Sequence, residues 1–162
     1  MRTYEFVSPK HPDKICDQIA DAILDAHLEK DSSSRVAVEV MGGHGKIKIT
    51  GEITSSAEVD MAEIAHKVSE SDYDVEVFVS KQSPEISRGV DTGGAGDQGI
   101  MVGYACNETE NFMPYGYEVA RQLCRDIYEK YPFDGKTQVT IASPSRSLGE
   151  GGNGEHVTDV VA

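Results

Sequence analysis

Along the first half of this chain the spacing of apolar residues switches from helical to alternating and back, which leaves few folds open. After His11-Pro12-Asp13, the residues Ile15, Ile19, Ala22, Ile23 and Ala26 recur at helical spacing, with acidic residues between them and Lys30 near the end. That is the pattern of an amphipathic helix. Pro12 suits the first turn, where its missing N–H would be unpaired, and Asp13 lies at the positive end of the helix dipole. From Arg35 to Val40 the period becomes two, with Val36, Val38 and Val40 facing one way. Gly42-Gly43-His44-Gly45 supplies a turn, and Ile47, Ile49 and Ile53 alternate with Lys48, Thr50 and Glu52 on the return strand of an antiparallel hairpin. Ser55 and Glu58 fit a capping box ahead of Met61, Ile64, Ala65 and Val68, and Val75, Val77 and Val79 mark a third strand. The order is α-β-β-α-β.

Gly89 to Gly99 holds five glycines in eleven residues, too many for a packed element, so a mobile loop and a unit boundary are expected there. Beyond it, Val119, Ala120, Leu123, Cys124 and Ile127 outline another helix, Thr137 to Ile141 alternates as a strand, and His156 to Val161 returns as its hairpin partner. The opening α-β-β order is thereby repeated. The expected fold is α+β, antiparallel sheets packed against helices, with an amino-terminal unit over 1–92 and an incomplete second unit over 93–162. The incomplete layer calls for another surface to cover it.

A formal net charge of -13 opposes nucleic-acid binding, which needs a basic surface to release counterions. A small polyanion needs locally placed cations or metal ions against this background. No stretch reaches the ~20 apolar residues that span a bilayer, and the start lacks a basic segment followed by an apolar run. No membrane association is expected, and the cytoplasm is the expected compartment. Cys16, Cys106 and Cys124 are odd in number and widely spaced, which suits buried free thiols.

Four clusters fall near element ends: His11-Pro12-Asp13-Lys14, Gly51-Glu52-Ile53-Thr54, Lys81-Gln82-Ser83-Pro84 and Gly94-Ala95-Gly96-Asp97-Gln98-Gly99. A helix N-terminus with His, Asp and Lys suits a phosphate and its metal ion, although helix capping alone accounts for the same residues. The order H-P-D-K, G-E-I-T, K-Q-S-P, G-V-D, G-A-G-D-Q-G and Y-A-C-N-E-T-E resembles the amino-terminal signatures of the S-adenosylmethionine synthetases, from Glu5 to about Thr140. The resemblance implies synthesis of S-adenosylmethionine from ATP and L-methionine with Mg²⁺ and K⁺. The sulfur attacks C5′ of ATP, and the triphosphate leaves and is hydrolysed to phosphate and diphosphate.

By that resemblance His11 stabilises the departing triphosphate and is the first catalytic choice. Asp13 matches the Mg²⁺ ligand and Glu39 the K⁺ ligand, both hard oxygen donors; without the family match, Glu39 reads as a surface partner of Arg35. Glu52 and Gln82 match the methionine-holding positions, a carboxylate for the substrate ammonium and an amide for its carboxylate. Asp97 matches the aspartate at the junction of methionine and adenosine. Glu5, Lys14, Asp134 and Lys136 match positions near the nucleotide, where lysine acts as a mobile point charge.

Two departures are local: Lys10 stands where the family usually has glycine, and the segment between G-V-D and G-A-G-D-Q-G is several residues shorter than usual in a region that gates the site. The third is larger, because the family's later glycine-rich segments and their triphosphate-gripping cations have no counterpart here. In that family the site lies between subunits. The leading expectation is therefore an enzyme subunit that pairs with a companion chain carrying the carboxy-terminal half. The alternatives are a catalytically silent regulatory or binding subunit, a homo-oligomeric minimal enzyme using Lys14, Lys81, Arg88 and Lys136, and, less favoured by the ordered motifs, a truncated fragment without a biological role.

Overall fold

The computed structural model describes residues 1–96, 98–142 and 156–162. In chain order its elements are β1 (Arg2–Val7), α1 (Pro12–Lys30), β2 (Arg35–Gly43), β3 (Lys46–Thr54), α2 (Met61–Ser69), β4 (Asp74–Ser80), α3 (Pro84–Val90), α4 (Tyr115–Lys130), β5 (Lys136–Ala142) and β6 (His156–Val161). Two compact units result, one over Pro12–Met101 and the other joining Met1–His11 to Val102–Ala162. Helices lie beside separate sheets, the α+β class read from the periodicity. Among the described residues no helix is long and apolar enough to cross a membrane.

In the Pro12–Met101 unit β3 is the central strand of the order β2-β3-β4. Its Ile47 and Ile49 are buried with Ile19 and Ile23 of α1 and Ala65 of α2, and Val36, Val38, Val40, Val75 and Val79 close around them. Burying each such side chain is worth about 1.5–3 kcal/mol, so both helices are held to one face of the sheet. The hairpin turns through His44 (φ 52°) and Gly45 (φ 78°), two left-handed residues that match the strand twist. Gly51 is required for another reason: its φ is 140°, and a Cβ there would overlap the Ala37 carbonyl on β2.

Three local expectations are corrected. The β3–β4 pair is parallel, Glu52 facing Ser80, so this sheet is mixed while β2–β3 is the expected antiparallel hairpin. Helix α2 is capped by Asp60, whose side chain accepts from Glu63 N, and not by the Ser55/Glu58 pair; the Ser55 hydroxyl accepts from Ala57 N instead. Helix α3 carries Gly89 in its last turn, so the glycine-rich loop begins later than its composition suggested.

The other unit orders its strands β1-β5-β6, all antiparallel. Helix α4 contributes Ala120 to a core with Val139 and Ile141, flanked by Tyr4 and Phe6 of β1. Phe6 meets Tyr117 edge to face at 5.7 Å. Gly116 admits the Tyr4 ring against the helix backbone, since any Cβ there would collide with that ring. Buried Thr137 donates to the Ala120 carbonyl at 2.8 Å, which spares its hydroxyl an unpaired burial.

Two ionisable groups at the end of α1 both make the Pro12–Met101 unit less stable in acid, in different pH windows. Asp31 accepts from the backbone N–H and hydroxyl of both Ser33 and Ser56, tying the helix end to the segment after β3 and holding its carboxyl well below the usual range. Its stabilisation is present above the ordinary carboxyl value of 3.8 and is lost as pH falls below it. His27 is buried with neither ring nitrogen partnered among the described residues, and burial, aided by Lys30, lowers its pKa from 6.5 against the weaker pull of Asp31. The unfolded chain binds this proton more readily, so stability falls as pH drops below about 6.5. Denaturant titrations at pH 7.5 and 5.5 are expected to show a smaller acid-side loss for His27→Leu than for the wild type. In the same assay Gly51→Ala is expected to cost about 2 kcal/mol or more at either pH.

Candidate active site

Beta pairing sets Glu52 opposite Ser80, the last residue of β4 and two residues before Gln82. Glu52 lies near the carboxyl end of β3, half-buried, opposite Ala37 of β2 and Ser80 of β4. Gln82 follows two residues after Ser80, also half-buried, in the lead-in to α3. Ser83 caps that helix by accepting from Ile86 N at 3.4 Å, and Pro84 opens its first turn, so the K-Q-S-P motif is an N-terminal capping segment as well as a carrier of Gln82.

The position of Gln82 depends on a residue that the sequence reading placed elsewhere. Arg35, first in β2, donates from Nε to Gln82 Oε1 (3.2 Å), from one terminal nitrogen to Asp91 (2.9 Å) and from the other to Ser87 Oγ (3.2 Å). The Ser87 hydroxyl in turn donates to the second Asp91 oxygen at 3.0 Å. Arg35 therefore pairs with Asp91 rather than with Glu39. Glu39 is exposed, opposite Thr50, on the sheet face that also carries Met41 and Phe78, which are 69% and 62% exposed.

The turn that ends at His11 is held by Ser8. Ser8 is buried, bonded from its N–H to the Gly135 carbonyl and from its hydroxyl to the Phe133 carbonyl, and its own carbonyl accepts from His11 N at 3.1 Å. Asp13 is exposed in the first turn of α1, while His11 and Lys14 are half-buried. Cys16, one turn on, packs beside Gly42, and its burial raises the thiol pKa, in keeping with the buried thiol expected there.

In the other unit, pairing of β1 with β5 brings Lys136 Nζ to 2.8 Å from Glu5, so the two nucleotide-site candidates form an ion pair. Asp134 and Lys136 border a cavity of about 230 Å³ whose other walls include Cys124, Tyr128, Tyr131 and Phe133. Glu5, His11, Asp134 and Lys136 thus belong to one unit, and Asp13, Lys14, Glu39, Glu52 and Gln82 to the other. Asp97 lies outside the described residues. Among the described residues no three His, Cys, Asp or Glu side chains cluster as a ready-made metal cage.

Comparison with known proteins places this arrangement in a family. Residues 1–91 match the S-adenosylmethionine synthetase N-terminal domain, and residues 92–161 match the central domain of the same enzymes. The chain belongs to the S-adenosylmethionine synthetase family. The S-adenosylmethionine synthases of Thermosynechococcus vestitus and Prochlorococcus marinus are 44% and 45% identical to it, over 85% and 86% of this chain and 42% of each relative. An S-adenosylmethionine synthetase from Campylobacter jejuni superposes with a TM-score of 0.76 at 36% identity, covering 90% of this chain and 43% of that one. The family resemblance carried by the H-P-D-K to N-E-T motifs is borne out, and the chain spans about 42% of the length of its curated relatives.

Two features escaped the sequence reading although signals for them were present. Alternation of Tyr4 and Phe6 with Thr3 and Glu5 marks β1, and Ser83-Pro84-Glu85 carries the cap, proline and acidic first turn of α3. The Glu5–Lys136 pair is about half exposed on each side. Glu5→Gln should therefore shift unfolding by no more than about 1 kcal/mol in a thermal or denaturant melt, leaving Lys136 free as a point charge.

Proposed function

We propose that this chain supplies the amino-terminal part of a methionine adenosyltransferase active site, which another chain completes. The observation that carries the reading is the two-domain family match, together with the β3–β4 pairing that sets Glu52 opposite Ser80, two residues before Gln82. In this reading Glu52 accepts from the ammonium of L-methionine, Gln82 donates to its carboxylate, and Asp97 bridges methionine and adenosine. The sulfur lone pair forms the new bond to C5′ of ATP as the C5′–O bond breaks, and the bonding pair leaves with the triphosphate. Water then hydrolyses that product to phosphate and diphosphate. Holding sulfur, carbon and oxygen in line, and stabilising charge on the departing oxygen, are the tasks such a displacement sets.

His11 stabilises the oxygen charge as it develops. Glu5, Lys14, Asp134 and Lys136 hold the nucleotide, Lys136 exchanging its ion pair with Glu5 for phosphate. The exposed carboxylate of Asp13 suits Mg²⁺, which keeps several waters and takes further ligands from phosphate rather than from an all-protein cage. Glu39 offers K⁺ a hard oxygen donor. When bound, these cations neutralise triphosphate charge that a chain with a net charge of -13 is ill suited to meet alone. The same deficit is why a companion chain, rather than this chain's own lysines, supplies the remaining cations.

The test incubates the purified chain with ATP, L-methionine, Mg²⁺ and K⁺, alone and with the separately expressed carboxy-terminal portion of a full-length relative, and measures S-adenosylmethionine. Product is expected only in the mixture, with His11→Ala lowering turnover about 10²- to 10³-fold. Product from the chain alone would identify a homo-oligomeric minimal enzyme. Association without product would identify a catalytically silent binding subunit.

A further inference from the structure

We propose that Arg35 is a positioning residue that fixes the polarity of Gln82, leaving its amide as a pure hydrogen-bond donor and so selecting substrates with a free carboxylate. This rests on the methionine-binding reading of Gln82 given above.

A glutamine side chain is ambiguous by itself, because its carbonyl accepts and its NH₂ donates, and a rotation of the amide exchanges the two. Arg35 removes the ambiguity. A guanidinium has donors and no acceptor, so the group facing its Nε at 3.2 Å is the Gln82 carbonyl oxygen, whichever way the amide is first drawn. The NH₂ then points away from Arg35, and among the described residues it meets no acceptor. Two N–H donors on a half-buried side chain therefore remain for a ligand that only accepts. A carboxylate is such a ligand, whereas a carboxamide brings donors of its own and an ester lacks the charge.

The polarity persists only if Arg35 itself is held. Its terminal nitrogens are engaged by Asp91 and Ser87, at 2.9 and 3.2 Å, and the Ser87–Asp91 hydrogen bond closes the ring of contacts. The backbone of Arg35 is fixed by pairing with Thr54, two residues from Glu52. One side chain thereby spans the lead-in, middle and end of α3, since Gln82 precedes the helix, Ser87 lies within it and Asp91 caps its carboxyl end. Asp91 also offsets most of the guanidinium charge, so the preference for a carboxylate arises from directed N–H groups more than from a bare cation. Lysine carries the same charge without the planar fork and cannot reproduce the three contacts.

Arg35→Lys and Asp91→Asn, each assembled with the complementing carboxy-terminal portion, would be assayed with L-methionine and with L-methioninamide. Gln82 side-chain NH₂ resonances of the ¹⁵N-labelled chain would be followed by NMR in the same assemblies. Arg35→Lys is expected to raise the methionine KM about tenfold or more, with kcat and the ATP KM little changed, and to erase most of the preference for methionine over its amide. Asp91→Asn should give a smaller change in the same direction, and methionine should move the Gln82 NH₂ signals in the wild type but much less in Arg35→Lys. Unchanged discrimination and an unchanged Gln82 response in Arg35→Lys would overturn the role of Arg35 while leaving methionine binding intact. A uniform loss of kcat and stability with discrimination preserved would also overturn it, reducing Arg35 to a structural clamp. No methionine response at Gln82 in the wild type would sink the substrate assignment, and this proposal with it.

Discussion

Burial of Ile47 and Ile49 beneath Ile19 and Ile23 is the constraint on which the rest of the Pro12–Met101 unit depends. Because β3 is central, its inward face must be apolar, and strand alternation then forces Lys48, Thr50 and Glu52 outward together. A one-residue slip would bury those polar groups and expose the isoleucines. Gly51 holds the register at its tightest point, where β2 and β3 approach too closely for any side chain. Glu52 therefore owes its place to a hydrophobic requirement, although its own role is polar.

The charge distribution follows a similar logic of local satisfaction within a strongly acidic chain. Asp31 is stabilised as a carboxylate by serine N–H and O–H donors rather than by a cation, and it ties α1 to the approach to α2. Lys46 and Lys48 meet Asp74 and Glu76 across the parallel β3–β4 pair. These exposed contacts contribute little stability singly. They do engage cations, as does the Glu5–Lys136 pair, in a chain that sets 15 Lys and Arg against 28 Asp and Glu. In the family to which the chain belongs, that shortage accords with the central idea of the proposed function, a site finished by residues from another chain.

Much of the secondary structure was legible because periodicity is a local property. The repeats in α1, β2, β3, α2, β4, α4, β5 and β6 each need only a window of neighbouring residues to be read. The two elements that escaped, β1 and α3, are short, and short windows carry weak periodicity. The cap of α2 was misplaced because Ser55 and Asp60 both carry side-chain acceptors ahead of the same apolar face. Among the site candidates, motif order picked out Glu52 and Gln82, but nothing in their spacing shows that β3 and β4 run parallel, with Glu52 opposite Ser80, two residues before Gln82.

By itself, then, the sequence determined the α+β class, the apolar face of each long element and membership of the synthetase family, since these reside in residue order and local spacing. Only the tertiary structure decided that β4 runs parallel to β3, that Lys136 reaches Glu5, and that Arg35 turns from Glu39 toward Gln82, Ser87 and Asp91. The physical reason is common to all three. Hydrogen bonds and ion pairs are directional and short-ranged, so their partners are chosen by which distant segments hydrophobic burial brings together, and no local window of sequence contains that choice.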